Sequence, residues 1–372
     1  MDFEAVTTSP AYVFDQDAIL ENLKPLENLR EATGCKIIYS IKALPLLAVL
    51  ELLKGRVDGF SVSSLFEARL ARDVLGEQGG SVHLTTPGLR SEEFSEISQL
   101  CSHISFNSLS QQQRLHDSVQ LDYSAGLRVN PKLSFVDDDR YNPCRQHSKL
   151  GVDWRLLVQG LPQGIEGLHF HTVFSREDFS PLLATVEKLK PLLKQSNLKW
   201  LNLGGGYLYN SIHDQQALIE LIQELRRELA IDVYLEPGKA LVGNAGYLLT
   251  TVLDRFVSDG KTILVLDTSV NHHPEVFEYQ RQPSLCVINA GEQTAVLVGS
   301  SCLAGDVFGE YGFSEIPAPG DRLVFCNVGA YSLIKANRFN GYNLPDVYLY
   351  QYGGFQLNRY DSYQDYRQQW AK

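Results

Sequence analysis

The chain lacks the features of a protein that works on a polyanion, in a membrane or outside the cell. Its 372 residues carry 33 Lys and Arg against 44 Asp and Glu, a net charge of −11, so a nucleic-acid or anionic-membrane surface would repel it. No stretch approaches the roughly 20 apolar residues that a bilayer-spanning helix needs. The opening MDFEAVTTSP has neither the basic stretch nor the apolar core of a secretory leader. The six cysteines (Cys35, Cys101, Cys144, Cys286, Cys302 and Cys326) form no CxxC pair and no zinc-type spacing, and reduced thiols in a cytoplasmic protein are the expectation. Internal repeats and low-complexity linkers are also missing. So is a glycine-rich turn after the first candidate strand, which an open doubly wound sheet would carry.

What is present is an alternation. Eight apolar segments, KIIYSI (36–41), VDGFSV (57–62), VHLTT (82–86), HISFN (103–107), AGLRVN (125–130), IEGLHF (165–170), KWLNLG (199–204) and DVYLEP (232–237), read as strands. Stretches such as LFEARLARDVL, PLLATVEKLKPLLK and QALIELIQELRREL lie between them with apolar residues three and four apart, the helical period. Eight strands joined by helical crossovers predict an α/β fold, a (β/α)8 barrel of the TIM type. Beyond residue 245 the texture becomes β-rich, with YLLTTVLDRF, KTILVLDTS, SLCVINA, AVLVGS, DRLVFCNVG and DVYLY separated by turn signals. A second, all-β domain is predicted there. The aromatic, polar tail YQYGGFQLNRYDSYQDYRQQW carries no clear pattern.

Barrels present reactive groups at the carboxyl ends of their strands. There the first strand offers Lys42, the fifth Arg128, the sixth His169 and His171, the seventh Gly204, Gly205 and Gly206, and the eighth Glu236 and Lys239. A strand-end lysine is ordinarily a solvated rim residue, a strand histidine a satisfied core group, and three glycines a tight turn. Converging on one end of a barrel, they match the needs of pyridoxal 5′-phosphate. Lys42 supplies an amine for its aldehyde, whose nucleophilic form burial would favour. The glycines supply backbone N–H groups for its phosphate. Glu236 supplies a carboxylate that keeps the pyridine nitrogen protonated, and His171 a plane to cover the ring.

These residues sit in strings (SIKAL, SVSSLFEARLA, YNPC, KLGV, GIEGLHFHT, LNLGGGY, YLEPGKALVGNAGYLLTTVLD, CLAGDVFGEY, FNGYNLP) whose order across nearly the whole chain resembles the fold-type III pyridoxal-phosphate decarboxylases. This is the alanine racemase-like group that includes ornithine and diaminopimelate decarboxylases. GLHFHT and CLAGD are most similar to its carboxynorspermidine and carboxyspermidine branch. The resemblance implies a barrel over residues 31–245, with residues 1–30 and 246–372 forming a discontinuous β domain that takes in the N-terminal strand. It implies Lys42 as the cofactor-binding lysine, His171 stacked on the ring, Gly204–Gly206 and Tyr331 at the phosphate, and Glu236 at the pyridinium. It further implies Cys302 as a proton donor reaching across a homodimer interface, and Asp306 and Glu275 facing the substrate. The expected activity is decarboxylation of carboxynorspermidine or carboxyspermidine in polyamine biosynthesis. Carboxyaminopropylagmatine, meso-diaminopimelate or a siderophore precursor is the alternative substrate, and a non-catalytic regulatory homologue the remote one.

Three departures from the family's text bear on the substrate. GSSCLAGD stands for GPTCLAGD, VFSREDF follows HFHT where a cysteine–acid pair is usual, and EPGK stands for EPGE. Lys239 either points to the substrate, where it repels an ammonium, or reaches the phosphate.

Overall fold

The structure is a computed structural model and describes residues 1–76, 79–115, 123–286 and 291–371. It divides into two compact units, one of Met1–Glu21 with Leu241–Lys372 and the other of Asn22–Ala240. Among the described residues no helix is long and apolar enough to cross a membrane.

In chain order, strand β1 (Ala11–Asp15) is followed by helix α1 (Gln16–Thr33) and then by the barrel strands β2 (Lys36–Ser40), β3 (Gly59–Val62), β4 (Ser81–Thr86), β5 (His103–Phe106) and β6 (Ser124–Asn130). A two-residue strand β7 (Val152–Asp153) precedes β8 (Gly167–His169), β9 (Trp200–Asn202) and β10 (Asp232–Leu235). Every neighbouring pair in the ring β2-β3-β4-β5-β6-β8-β9-β10 is parallel, and β10 returns to β2, so eight strands close a barrel. Among the described residues the small β7 pairs only with β6, outside the ring. Each predicted strand segment overlaps one barrel strand.

The strands read as apolar runs because a parallel strand covered by helices is buried on both faces. The connecting helices α2 (Leu47–Leu53), α3 (Leu65–Leu75), α4 (Ser91–Leu100), α5 (Leu109–Leu115), α6 (Ser180–Gln195) and α7 (Gln216–Leu229) supply that cover. In α3, Leu65, Ala68, Ala71, Val74 and Leu75 are buried along one stripe; Ser64 Oγ accepts from Glu67 N (3.2 Å) at its start, and Gly76 ends it at φ +75°.

At the amino-terminal end of the ring, aromatic groups fill the interior. His83 and His103 stack with centroids 3.9 Å apart, beside Trp200 and Tyr234. A Cβ on Gly126 or Gly167 would lie 2.4 or 1.9 Å from the Trp200 ring, so glycine on the flanking strands makes room for the indole. The amino-terminal end is thus plugged, and chemistry is left to the other end.

In the other unit, β11 (Gly246–Ser258) pairs antiparallel with β1, β12 (Lys261–Leu266) and β15 (Arg322–Phe325). β12 continues to β13 (Gln293–Val298) and β14 (Val307–Phe313), while β1 runs parallel to β16 (Asp346–Gln351), which pairs with β17 (Gly354–Arg359). The N-terminal strand therefore joins the C-terminal sheet, where Ala11 and Val13 pack against Leu249, Val324 and Tyr348. Of the segment SLCVINA, residues 287–290 lie outside the described residues, and Leu285 forms a single bridge to Phe325. The polar tail contributes β17 and a short helix over Tyr363–Gln368.

Candidate active site

Lys42 does not end the first barrel strand. β2 stops at Ser40, and Lys42 is the middle residue of a single 3-10 turn, Ile41–Ala43. Ile41 and Ala43 are fully buried while Lys42 is exposed, so the burial expected of this amine is not what the structure shows. Pro45 disfavours helical backbone at Leu44, which is extended. The turn is locked to the loop after β10: Ser40 N donates to Pro237 O (2.9 Å), and a Cβ on Gly238 would lie 3.2 Å from the side chains of Ser40 and Ala43. The strand ends that carry Lys42 and Glu236 are thereby held side by side.

Glu236 is 5% exposed and is held by side chains from three other strands. Its Oε1 accepts from Ser61 Oγ on β3 and from Asn202 Nδ2 on β9, each at 2.9 Å. Its Oε2 lies 3.3 Å from His169 Nε2 at the end of β8. Burial acts to raise its pKa, but His169, the Lys42 ammonium and the Asn202 amide outweigh burial and hold the carboxyl well below its usual range. Burial pulls His169 below the ordinary histidine value despite its acidic neighbour, and pulls His171 well below it with help from the Lys42 and Arg128 charges. The site therefore presents neutral imidazoles beside a fixed anion.

The glycine turn is required sterically. Gly204 (φ +71°) and Gly206 (φ +96°) occupy the left-handed region, and a Cβ on Gly205 would lie 2.1 Å from Glu236 O. Its N–H groups are not all bare, as a phosphate cradle of three would need. Gly204 N donates to Asn202 Oδ1 (2.8 Å) and Gly205 N to His171 Nδ1 (3.2 Å). Two of the three are thus committed to side chains of the site itself.

Lys42, Arg128, His169, His171 and Glu236 line one cavity of about 470 Å³, together with Ser61, Tyr141 and Asn142. Lys239 is not among its lining residues. It begins helix α8 (Lys239–Val242), with its ammonium 5.6 Å from the centre of the Phe174 ring. That ring in turn stacks on Tyr141, with centroids 5.2 Å apart. Four groups escaped the sequence reading: Asn202, Ser61, His169 as a partner of Glu236, and Glu67, whose carboxylate accepts from Ser63 N (2.7 Å) and feels the Lys42 charge. Asn202, two residues before the first glycine on an inward-facing strand position, was the most findable.

The remaining expected residues belong to the β-rich unit. Cys302 is exposed, and its N–H donates to Asn340 Oδ1 (2.7 Å). Asp306, expected to face a substrate amine, is 3% exposed and committed to its own loop. One oxygen accepts from Val270 N (2.8 Å), the other from Ser301 N (3.1 Å) and Ser301 Oγ. It holds the cysteine loop in shape. Glu275, buried at the start of a short helix over Glu275–Tyr279, lies near Tyr331; burial and the Glu275 charge push the Tyr331 phenol up to about 12. Tyr331 itself sits at φ +61°, backbone that a non-glycine residue adopts at a cost.

A pyridoxal phosphate fits the barrel residues. The buried Glu236 carboxylate has one oxygen saturated by neutral donors and the other turned toward His169, in a cavity that also holds the Lys42 amine and the His171 ring. Such a barrel end, with a sheet-rich second unit in the same chain, defines the barrel-type pyridoxal-phosphate enzymes. The sequence narrows the class: a family model described as pyridoxal-dependent decarboxylase, C-terminal sheet domain, matches residues 11–329, and the chain belongs to these decarboxylases. It is 36% identical over 369 residues to a carboxyaminopropylagmatine decarboxylase of Synechocystis, covering 96% of this chain and 94% of that protein. It is 30% identical over 385 residues to a carboxynorspermidine/carboxyspermidine decarboxylase of Campylobacter jejuni, covering 98% and 99%. The crystal structure of carboxynorspermidine decarboxylase from Campylobacter jejuni, complexed with norspermidine, superposes with a TM-score of 0.87 at 29% identity, covering 97% of this chain and all of that one.

Proposed function

We propose that the protein decarboxylates the α-amino-acid end of carboxynorspermidine or carboxyspermidine, leaving norspermidine or spermidine. The observation that carries the chemistry is the anionic Glu236, held by three strands at the carboxyl end of the barrel that also presents Lys42. When bound, pyridoxal phosphate supplies an aldehyde that condenses with amines and a ring that takes up the electron pair released with CO2. Lys42 would hold the aldehyde end of the cofactor, its amine presented by the turn that follows β2. Glu236 keeps a proton on the ring nitrogen, and neutral His171 covers the ring face without adding a competing charge. Arg128 contacts the cofactor, and the glycine turn at Gly204, Gly205 and Gly206 serves the phosphate together with Tyr331. We further propose that the protein is a homodimer and that the partner subunit's Cys302 delivers a proton from Sγ to the α-carbon after CO2 leaves. Asp306 shapes the loop that presents this thiol, Glu275 faces the substrate, and Lys239, which lies against the Phe174–Tyr141 stack, serves the substrate or the phosphate.

Carboxyaminopropylagmatine is the second reading. It is favoured by the 36% identity to the Synechocystis enzyme and by the lysine at 239, where a polyamine-selecting glutamate is expected. Measuring CO2 release from carboxynorspermidine, carboxyspermidine, carboxyaminopropylagmatine and meso-diaminopimelate separates the two. The first reading predicts kcat/KM at least ~10-fold higher for one of the first two compounds, a difference of about 1.4 kcal/mol in transition-state binding. The opposite order selects the second reading, and turnover of diaminopimelate alone contradicts both.

A further inference from the structure

Asn202 bridges two parts of the site that are otherwise separate. Its side chain is buried, with 1% exposure, and each end of its amide has one partner. Oδ1 accepts from Gly204 N at 2.8 Å, and Nδ2 donates to Glu236 Oε1 at 2.9 Å. Only this orientation satisfies both, because a backbone N–H needs an acceptor and a carboxylate needs a donor. Backbone reinforces the link, since Glu236 N donates to Gly204 O (2.9 Å) and a Cβ on Gly205 would collide with Glu236 O. Ser61 also donates to Glu236 Oε1 and His169 lies against Oε2, but neither bonds to the glycine turn. We infer that Asn202 is a positioning residue that couples the glycine turn, which shapes the phosphate site, to the carboxylate that faces the ring nitrogen. The two ends of one cofactor are then set in register by a single amide.

This rests on the cofactor assignment above, and its test needs no substrate. The full-length chain is stripped of cofactor, and rebinding of pyridoxal phosphate and of pyridoxal, which lacks the phosphate, is titrated by absorbance. The ratio of the two Kd values measures how well the phosphate end is formed. In Asn202→Ala both arms are lost, and the ratio is expected to fall at least ~10-fold, the scale of one buried hydrogen bond. Asn202→Asp keeps the acceptor for Gly204 N but sets a carboxyl against Glu236. The ratio is expected to stay within ~2-fold of wild type while both Kd values rise, and a Glu236→Gln background should abolish most of that rise. An unchanged ratio in a folded Asn202→Ala protein, or a lost ratio in Asn202→Asp, overturns the inference. Should Asn202→Ala not fold, the Asn202→Asp ratio and its response to Glu236→Gln decide alone. A wild-type chain that binds neither compound refutes the cofactor assignment instead.

Discussion

At the scale of single residues, the site separates groups that touch the reaction from groups that hold others in place. Asp306 and Cys302 lie four positions apart and are predicted to behave oppositely. Asp306→Asn replaces an acceptor of three hydrogen bonds by an amide with one acceptor oxygen, leaving donors facing donors in a buried loop. A loss of about 1–3 kcal/mol is expected, read as a melting temperature lower by several degrees. Cys302→Ser leaves a solvated position and should not shift the melting temperature, while kcat falls on the order of 10²–10⁴-fold if the thiol is the proton donor. A normal melting temperature for Asp306→Asn, with KM raised for carboxynorspermidine or carboxyspermidine, would return that carboxylate to the substrate. The sequence identified Lys42, Arg128, His171 and Glu236, which occupy one cavity. It could not show that Asp306 is enclosed, because its donors come from Val270 and Ser301 and the enclosure depends on how the loop folds back. Asn202 escaped for a related reason: its partner Glu236 is 34 residues away, and only the parallel pairing of β9 with β10 across the α7 crossover brings the two together.

Among the elements, the barrel strands were legible because each is an apolar run bounded by turns, and the helices because their buried positions repeat with helical period. The β-rich unit was less so. β14, VFGEYGF, carries two glycines, and β17, GFQLNR, is largely polar and among the described residues pairs on one side only, so neither shows a buried strand's composition. The plug at the amino-terminal end of the barrel makes a prediction about pH. His83 Nε2 meets Ser81 Oγ at 3.1 Å and His103 Nδ1 meets Ser102 Oγ at 3.0 Å, with Trp200 and Tyr234 against the rings. Burial lowers both histidines, His103 from 6.5 to about 4 although Asp232 and Glu166 oppose the shift, and His83 further because His103 adds its charge to the effect of burial. A depressed value means that the unfolded chain binds protons first as pH falls. Stability is therefore intact above about 6.5 and declines toward pH 4, by about 3 kcal/mol for a shift of this size in one group. Urea unfolding at a series of pH values should show this slope, and His103→Gln should flatten it. A slope unchanged by that substitution would place the pH sensitivity elsewhere.

For the whole molecule, the proposal that matters is a site shared between two copies. Mixing inactive Lys42→Ala and Cys302→Ala proteins is the direct check. If Cys302 serves the partner's cofactor, a heterodimer carries one site with both defects and one with neither, so random exchange restores roughly a quarter of wild-type activity, since half the dimers are mixed and each has one sound site. No recovery after subunit exchange, demonstrated by the sedimentation of tagged mixtures, would confine the chemistry to a single chain.

The central claim is that the amine at position 42 holds the cofactor. Borohydride reduction of the pyridoxal-phosphate-loaded protein, followed by digestion and mass spectrometry, tests it most directly. The account predicts a single pyridoxyl label on the peptide containing Lys42, with absorbance and activity lost in proportion to labelling. A label on Lys239 or another lysine, or full activity in a protein that takes up no label, would contradict it.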